Sequence, residues 1–264
     1  MSTLPAPPFI TVPAIHNFRA LHLPQSTHPI LYRSAALSTL TPTGISTLQS
    51  LHITKIYDLR SHTEAQKHAT PAIGGIRLIH TPVFSEQDYS PEAVAIRYKN
   101  YTSEAGIEGF VAAYTSILES GVRTFTEIFT FLRDAGPGEK CLVHCSAGKD
   151  RTGVLCALVL MLAGCGDEEV ADEYALSEVG LKELKPVMVE RLMAVEGLDA
   201  DREGVERMVG SRRENMLATV GMIEEKFGGV EGYLRGRCGF GEGDLDKIRS
   251  NIVGGNEEEP GVRR

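Results

Sequence analysis

A cysteine followed six positions later by an arginine stands in VHCSAGKDRTG, residues 143–153. An ionised cysteine is a strong nucleophile, and an arginine offers a planar fork that fits two oxygens of a phosphate. Between them Gly148 lets the backbone curl with no Cβ in the way. The segment sits between KCLVHC (140–145), an apolar run that reads as a buried strand, and TGVLCALVLMLAG (152–164), which reads as a buried helix. A loop that wraps from a strand into a helix N-terminus turns several N–H groups to one point, and with the helix dipole these favour an anion. The same field favours the thiolate of Cys145 over the thiol.

These residues suffice for cleavage of a phosphate ester. Cys145 attacks phosphorus, while Arg151 and the N–H groups of Ser146, Ala147, Gly148 and Lys149 hold the equatorial oxygens. A cysteinyl-phosphate forms and water hydrolyses it. Asp150 is placed to protonate the leaving oxygen and then to act as base for the water. Its bland alternative is a charge that stabilises the helix N-terminus. Thr152 can donate its hydroxyl to the sulfur, and Lys149 would favour substrates with a second negative group. Asp88, in the polar stretch SEQDYSPE, is the second candidate acid, because residues 85–107 can fold over the loop as a lid. His144 reads as a structural hydrogen-bonder and Tyr114 as a core or rim residue. Cys141 and Cys145 are four steps apart on a strand, about 13 Å, which is too far for a disulfide or a shared metal. No cofactor or metal is expected.

The elements that must position this loop alternate. ILYRS (30–34), ITKIYDL (53–59) and IRLIHTPVF (76–84) read as strands, and TPTGISTLQSLH (41–52) as a helix capped by Thr41 or Thr43. Helical patterns follow at 107–120 and 122–135. After Arg151 the chain reads as almost wholly helical, through 167–179, 181–195, 211–227 and short helices up to Ile252. Strands alternating with helices give an α/β fold: a central, mostly parallel sheet flanked by helices, with a helical C-terminal half. One domain over residues 1–253 is expected, with a loose tail at 1–8 and a disordered one at 254–264.

Net charge is −8, but residues 1–75 carry five Lys or Arg against two acids, so the excess acid lies in the remainder. A broad basic face, as nucleic-acid binding requires, is missing, and any anionic ligand must be held locally. Five cysteines without a secretory pattern point to free thiols in a reducing, cytoplasmic setting. The longest apolar run, Gly153 to Cys165, is 13 residues and too short for a membrane span.

HCSAGKDRTG resembles the protein-tyrosine-phosphatase signature H-C-x-x-G-x-x-R-[ST]. Its GKDRTG form is similar to the atypical tyrosine/serine and phosphoinositide phosphatases of bacteria and fungi. NFRAL (17–21), YRSAALS (32–38), YDLRSHTEA (57–65) and GGVEGYLRG (228–236) resemble further blocks of that family, so the likeness covers most of the chain. It implies a tyrosine-phosphatase-like fold with Cys145 as nucleophile, Arg151 as phosphate binder, Asp150 as general acid and Asp58 ordering the loop. The implied partners are phosphorylated proteins, inositol phosphates or phosphoinositides. The chain departs from the family at Ala20, His22 and Leu23, where the family has Asp, Gly and Gly, which implies an altered N-terminal turn. It has no tryptophan, so it lacks the Trp-Pro-Asp acid loop of larger tyrosine phosphatases.

Two other functions fit parts of the pattern. A non-catalytic phosphate-binding module would keep the anion loop but usually lose the nucleophile or the arginine. A sulfur-transfer or arsenate-reducing enzyme also places a cysteine in an anion loop; His144 and Arg151-Thr152 favour phosphate transfer.

Overall fold

The structure, a computed structural model, describes residues 4–23, 26, 28–85, 91–103, 106–195 and 201–254. Asp88, parts of the 85–107 segment and nearly all of the expected C-terminal tail lie outside the described residues.

Five strands form one sheet: β1 (Arg19–Ala20), β2 (Leu31–Ser34), β3 (Ile53–Asp58), β4 (Arg77–His80) and β5 (Lys140–His144). Their order across the sheet is β1-β2-β5-β3-β4. Only β1 runs antiparallel, against β2; all other pairings are parallel. β5 is the central strand, with Ser34 of β2 and Asp58 of β3 both opposite His144. The carboxyl ends of β2, β5 and β3 therefore meet where the 145–151 loop begins, the edge at which open α/β sheets bind ligands.

β2 and β5 are buried on both faces almost throughout, so they read as apolar runs, yet alternation decides which core each side chain joins. Leu31, Tyr57, Cys141 and Val143 face a large core filled from the helical half. Tyr32, Ile56 and Leu142 face a smaller one with Val12, Phe18 and Leu48. The expected 76–84 strand stops at His80, because Pro82 cannot extend the ladder; Thr81 N–H instead bonds Asp58 O and Val83 N–H bonds Leu59 O.

The helices before the loop are α1 (Pro42–Ser50), α2 (His62–Lys67), α3 (Pro91–Thr102), α4 (Ile107–Ser120) and α5 (Val122–Asp134). Thr41 caps α1 as expected, its hydroxyl accepting from Gly44 N–H. α6 (Asp150–Leu162) follows the loop and is apolar nearly all round, because helices surround it. Beyond it come α7 (Asp167–Ala175), α8 (Ser177–Gly180), α9 (Lys185–Met193), α10 (Arg202–Val209), α11 (Arg213–Phe227), α12 (Gly229–Gly236) and α13 (Glu242–Val253).

Four elements lay outside the ranges of the sequence reading: β1, α2, α3 and α10. The first is two residues long and the second six, too short for a period to show. Nor are residues 4–8 loose. Pro8 O accepts from Ala20 N–H and Phe9 bridges to Arg19, which ties this segment to the edge of the sheet.

Candidate active site

The loop after β5 is held by its carbonyls. Cys145 O accepts from His144 Nδ1 at 3.0 Å and Ser146 O from Ala36 N–H at 3.0 Å. Ala147 O accepts from Asn17 Nδ2 at 3.2 Å, and Gly148 O from Asn17 Nδ2 at 3.1 Å and Arg33 Nη2 at 2.7 Å. Lys149 O accepts from Gly153 N–H, the first turn of α6. A trans peptide points its N–H opposite to its C=O. With carbonyls 145–148 fastened behind, the N–H groups of 146–149 turn the other way, and among the described residues none of them donates to a protein acceptor. No side chain caps the N-terminus of α6 either. The result is an anion cradle with Cys145, 2% exposed, at its floor.

Gly148 has φ +64°, and a Cβ there would lie 2.0 Å from Ser34 O. Glycine is required both for the left-handed turn and for the approach of β2.

The donors behind the cradle form one buried network. Arg19 Nε donates to Glu173 Oε1 at 2.7 Å and Arg33 Nη1 to Glu173 Oε2 at 2.5 Å. Arg19 Nη1 also donates to Asn17 Oδ1, which fixes the amide that holds the loop. Asn17 sits at φ +58°, a left-handed conformation that Asn tolerates. Burial, with Arg33 adding to it, pulls the Arg19 pKa down to about 10. Burial also opposes the charge on Arg33, but Glu173 and the neighbouring cysteines outweigh it and the net direction is up. Despite its burial, Glu173 is held below the ordinary carboxylate range by the two arginines. Two guanidinium groups on one carboxylate leave one positive charge beneath the loop, where it offsets an anion above.

Arg151 is placed by Glu64, a residue to which the sequence reading gave no role. Its Nη1 and Nη2 donate to the two Glu64 oxygens at 2.7 and 3.0 Å, and Nη2 reaches Ser146 Oγ at 3.2 Å. Glu64 also accepts from Ser146 Oγ and from the N-terminus of its own helix, where Ser61 and Glu64 cap each other reciprocally. Although burial pushes the other way, Arg151 holds the Glu64 carboxyl far below its ordinary pKa.

Asp150 is partly exposed at the loop's end. Its Oδ1 accepts from Tyr114 Oη at 2.8 Å and lies 3.1 Å from Lys149 Nζ. Tyr114, read from sequence as core or rim, is fully buried and bonds this carboxylate.

Lys149 differs from expectation. Its ammonium donates to Met208 O at 2.6 Å and Gly210 O at 2.9 Å, at the end of α10, and the residue is 1% exposed. The C-terminal carbonyls of a helix are a natural seat for a cation, so Lys149 binds the helical half rather than facing the mouth of the cradle.

Asp58 also points to protein rather than into the cradle. It accepts from Arg60 N–H, Nε and Nη2, the last at 2.6 Å, and stands 3.8 Å from His144 Nδ1. Burial drives His144 toward its neutral form, so Nδ1 can carry the proton it donates to Cys145 O. Thr152 is fully buried, and its hydroxyl has no hydrogen-bond partner among the described residues, so the expected bond to sulfur is not formed here.

On α3, burial, with the charge of Glu64 adding to it, raises the Tyr98 pKa. Tyr101 packs on Phe110 and Tyr114 at centroid distances of 5.2 and 6.3 Å. The five cysteines are all free. No described helix is long and apolar enough to cross a membrane.

Residues 10–254 match the family model of the tyrosine phosphatase family. Among curated relatives, the triple specificity protein phosphatase PtpB of Mycobacterium tuberculosis is 26% identical over 254 residues, covering 85% of this chain and 91% of that protein. A tyrosine-protein phosphatase of Nostoc commune is 30% identical over 144 residues, 53% of this chain and 48% of its own.

Proposed function

Because this chain belongs to the tyrosine phosphatase family, we propose that it hydrolyses phosphomonoesters through a cysteinyl-phosphate on Cys145. The observation that carries the mechanism is the cradle: four consecutive carbonyls, 145–148, fastened behind the loop, the amides of 146–149 without a protein acceptor among the described residues, and Arg151 fixed by Glu64. Cys145 attacks phosphorus, and the amides of 146–149 with Arg151 take up the equatorial oxygens. Asp150 protonates the leaving oxygen and later accepts a proton from water. The orphan hydroxyl of Thr152 supports a role toward the sulfur, since a buried donor without a partner is costly and calls for a reason. Asp58 acts one step back, through Arg60 and His144.

Phosphotyrosine is the proposed first substrate, since the curated relatives carry tyrosine or triple specificity in their names. Phosphoserine, phosphothreonine and phosphoinositides are the wider proposed range, and phosphorylated proteins in a reducing compartment the proposed partners. The engagement of Lys149 by Met208 O and Gly210 O weighs against a ready second anion subsite at that residue.

The test is a panel of phosphopeptides, inositol phosphates and an aryl phosphate, assayed with reductant and a chelator. Wild type turns over the aryl phosphate and the phosphotyrosyl peptide, and Cys145→Ser does not. Undiminished turnover by Cys145→Ser would remove the proposal.

A further inference from the structure

We infer that Tyr114, backed by Tyr174, positions Asp150 so that its catalytic proton rides on Oδ2. The inference rests on the reading of Asp150 as proton donor and deepens it.

A carboxyl that shuttles a proton must present one oxygen to the leaving group and must not rotate. In this structure the two Asp150 oxygens differ. Oδ1 receives the Tyr114 hydroxyl at 2.8 Å and faces the Lys149 ammonium at 3.1 Å. Oδ2 makes no hydrogen bond among the described residues, and the side chain is 26% exposed at the loop's edge. With the Tyr114 hydroxyl donating to Oδ1 and the Lys149 cation beside it, a proton there would meet a donor and a positive charge, so Oδ2 is the site left for it.

The hydroxyl is itself directed. Each phenol has one proton; if Tyr114 gives its own to Asp150, then Tyr174 supplies the donor in the 2.6 Å contact between the two hydroxyls. The chain runs Tyr174 to Tyr114 to Asp150, and such chains polarise each link. Burial raises both phenols well above their ordinary range, so both remain donors at working pH. The rings cannot drift. Tyr114 is boxed edge to face by Tyr101, Phe110 and Tyr174. Tyr174 lies against Gly153 of α6, where a Cβ would come within 3.0 Å of its ring.

In the first step the sulfur–phosphorus bond forms, the bond from phosphorus to the leaving oxygen breaks, and that oxygen takes the Oδ2 proton. In the second, water attacks phosphorus and gives a proton to Oδ2. The sulfur leaves as thiolate, and inorganic phosphate is released.

The experiment uses aryl phosphates whose phenols span a range of acidity, with wild type, Tyr114→Phe, Asp150→Asn and the double variant. An acid matters most when the leaving group is basic. Tyr114→Phe is expected to lose least with the most acidic phenol and about tenfold more with the most basic, a fraction of the ~10²–10⁴-fold that a general acid supplies. In the Asp150→Asn background it should add no leaving-group dependence. A uniform loss across the series, or an equal loss in the Asp150→Asn background, would overturn the positioning role. Asp150→Asn showing no leaving-group dependence would instead remove the reading beneath it. Should Tyr114→Phe not fold, Tyr174→Phe carries the test, because it deletes only the outer hydroxyl. A loss that grows with leaving-group basicity supports the chain; a uniform loss, or none, refutes it.

Discussion

Replacing Gly148 with alanine tests whether the backbone of the loop, and not only its side chains, makes the site. Two costs can be read from the structure. At φ +64° an L-residue is strained by roughly 1–2 kcal/mol. The new Cβ would also lie 2.0 Å from Ser34 O, whereas ordinary contact begins at 3.4 Å. Loop and β2 must therefore part by about 1.4 Å, the difference of those two distances. Overpacking of this kind adds about 1–3 kcal/mol, for a total loss near 2–5 kcal/mol. The catalytic effect is separate. Gly148 O is held by Arg33 and Asn17, so the displacement moves the amides around the sulfur. A shift of about 1 Å can cost roughly 10²-fold. The assay is urea unfolding beside kcat/KM for an aryl phosphate. Gly138→Ala is the control: φ is +74° but nothing lies within 4 Å, so it should lose only the strain and keep kcat/KM. If Gly148→Ala matches Gly138→Ala in both measurements, the close approach to Ser34 does not shape the cradle and the reasoning fails.

Two other expectations concern charge. Glu173→Gln leaves Arg19 and Arg33 buried without their carboxylate, a loss of about 3–5 kcal/mol near neutral pH. Because Glu173 is depressed when folded, its contribution is present above the unfolded value of about 4.3 and is lost as pH falls through the folded one. Melting curves from pH 7 down to pH 3 should show the gap between wild type and variant closing; a constant gap would mean that the charge contributes nothing. Alkylation mapped by peptide mass should mark Cys145 first, with protection by phosphate. Burial pushes the Cys156 thiol up to about 12 and Cys165 up to about 11, and raises Cys141 and Cys238. Faster labelling of Cys165 than of Cys145 would count against an activated nucleophile.

What the sequence showed was local. The loop, the strand before it and the helix after it are contiguous, and their period and composition are visible in one window. The parts that hold the loop are not. Asn17 meets Ala147 across 130 residues, and Glu173 reaches back to Arg19 and Arg33. Arg19 and Arg33 were given no role of their own in the sequence, beyond lying in the blocks NFRAL and YRSAALS and in a mildly basic N-terminal third, although both fall in strands and are fully buried. A charged residue inside an apolar strand is the signal that could have marked them, because such a group needs a buried partner. Glu64 lies in the quoted block YDLRSHTEA, and its capping pattern with Ser61 is legible; its grip on Arg151 is not, since that depends on where α2 is set down. Tyr114 follows a helical apolar face, and a phenol on such a face gives no sign of which carboxylate it meets.

The central claim is a covalent phosphorus–sulfur intermediate at residue 145, and acid-quenching the enzyme during turnover of an aryl phosphate tests it directly. Peptide mapping of the quenched protein should find phosphate on the Cys145 peptide, and none in Cys145→Ser. Phosphate on another side chain, or steady turnover with no covalent species at any quench time, would contradict it.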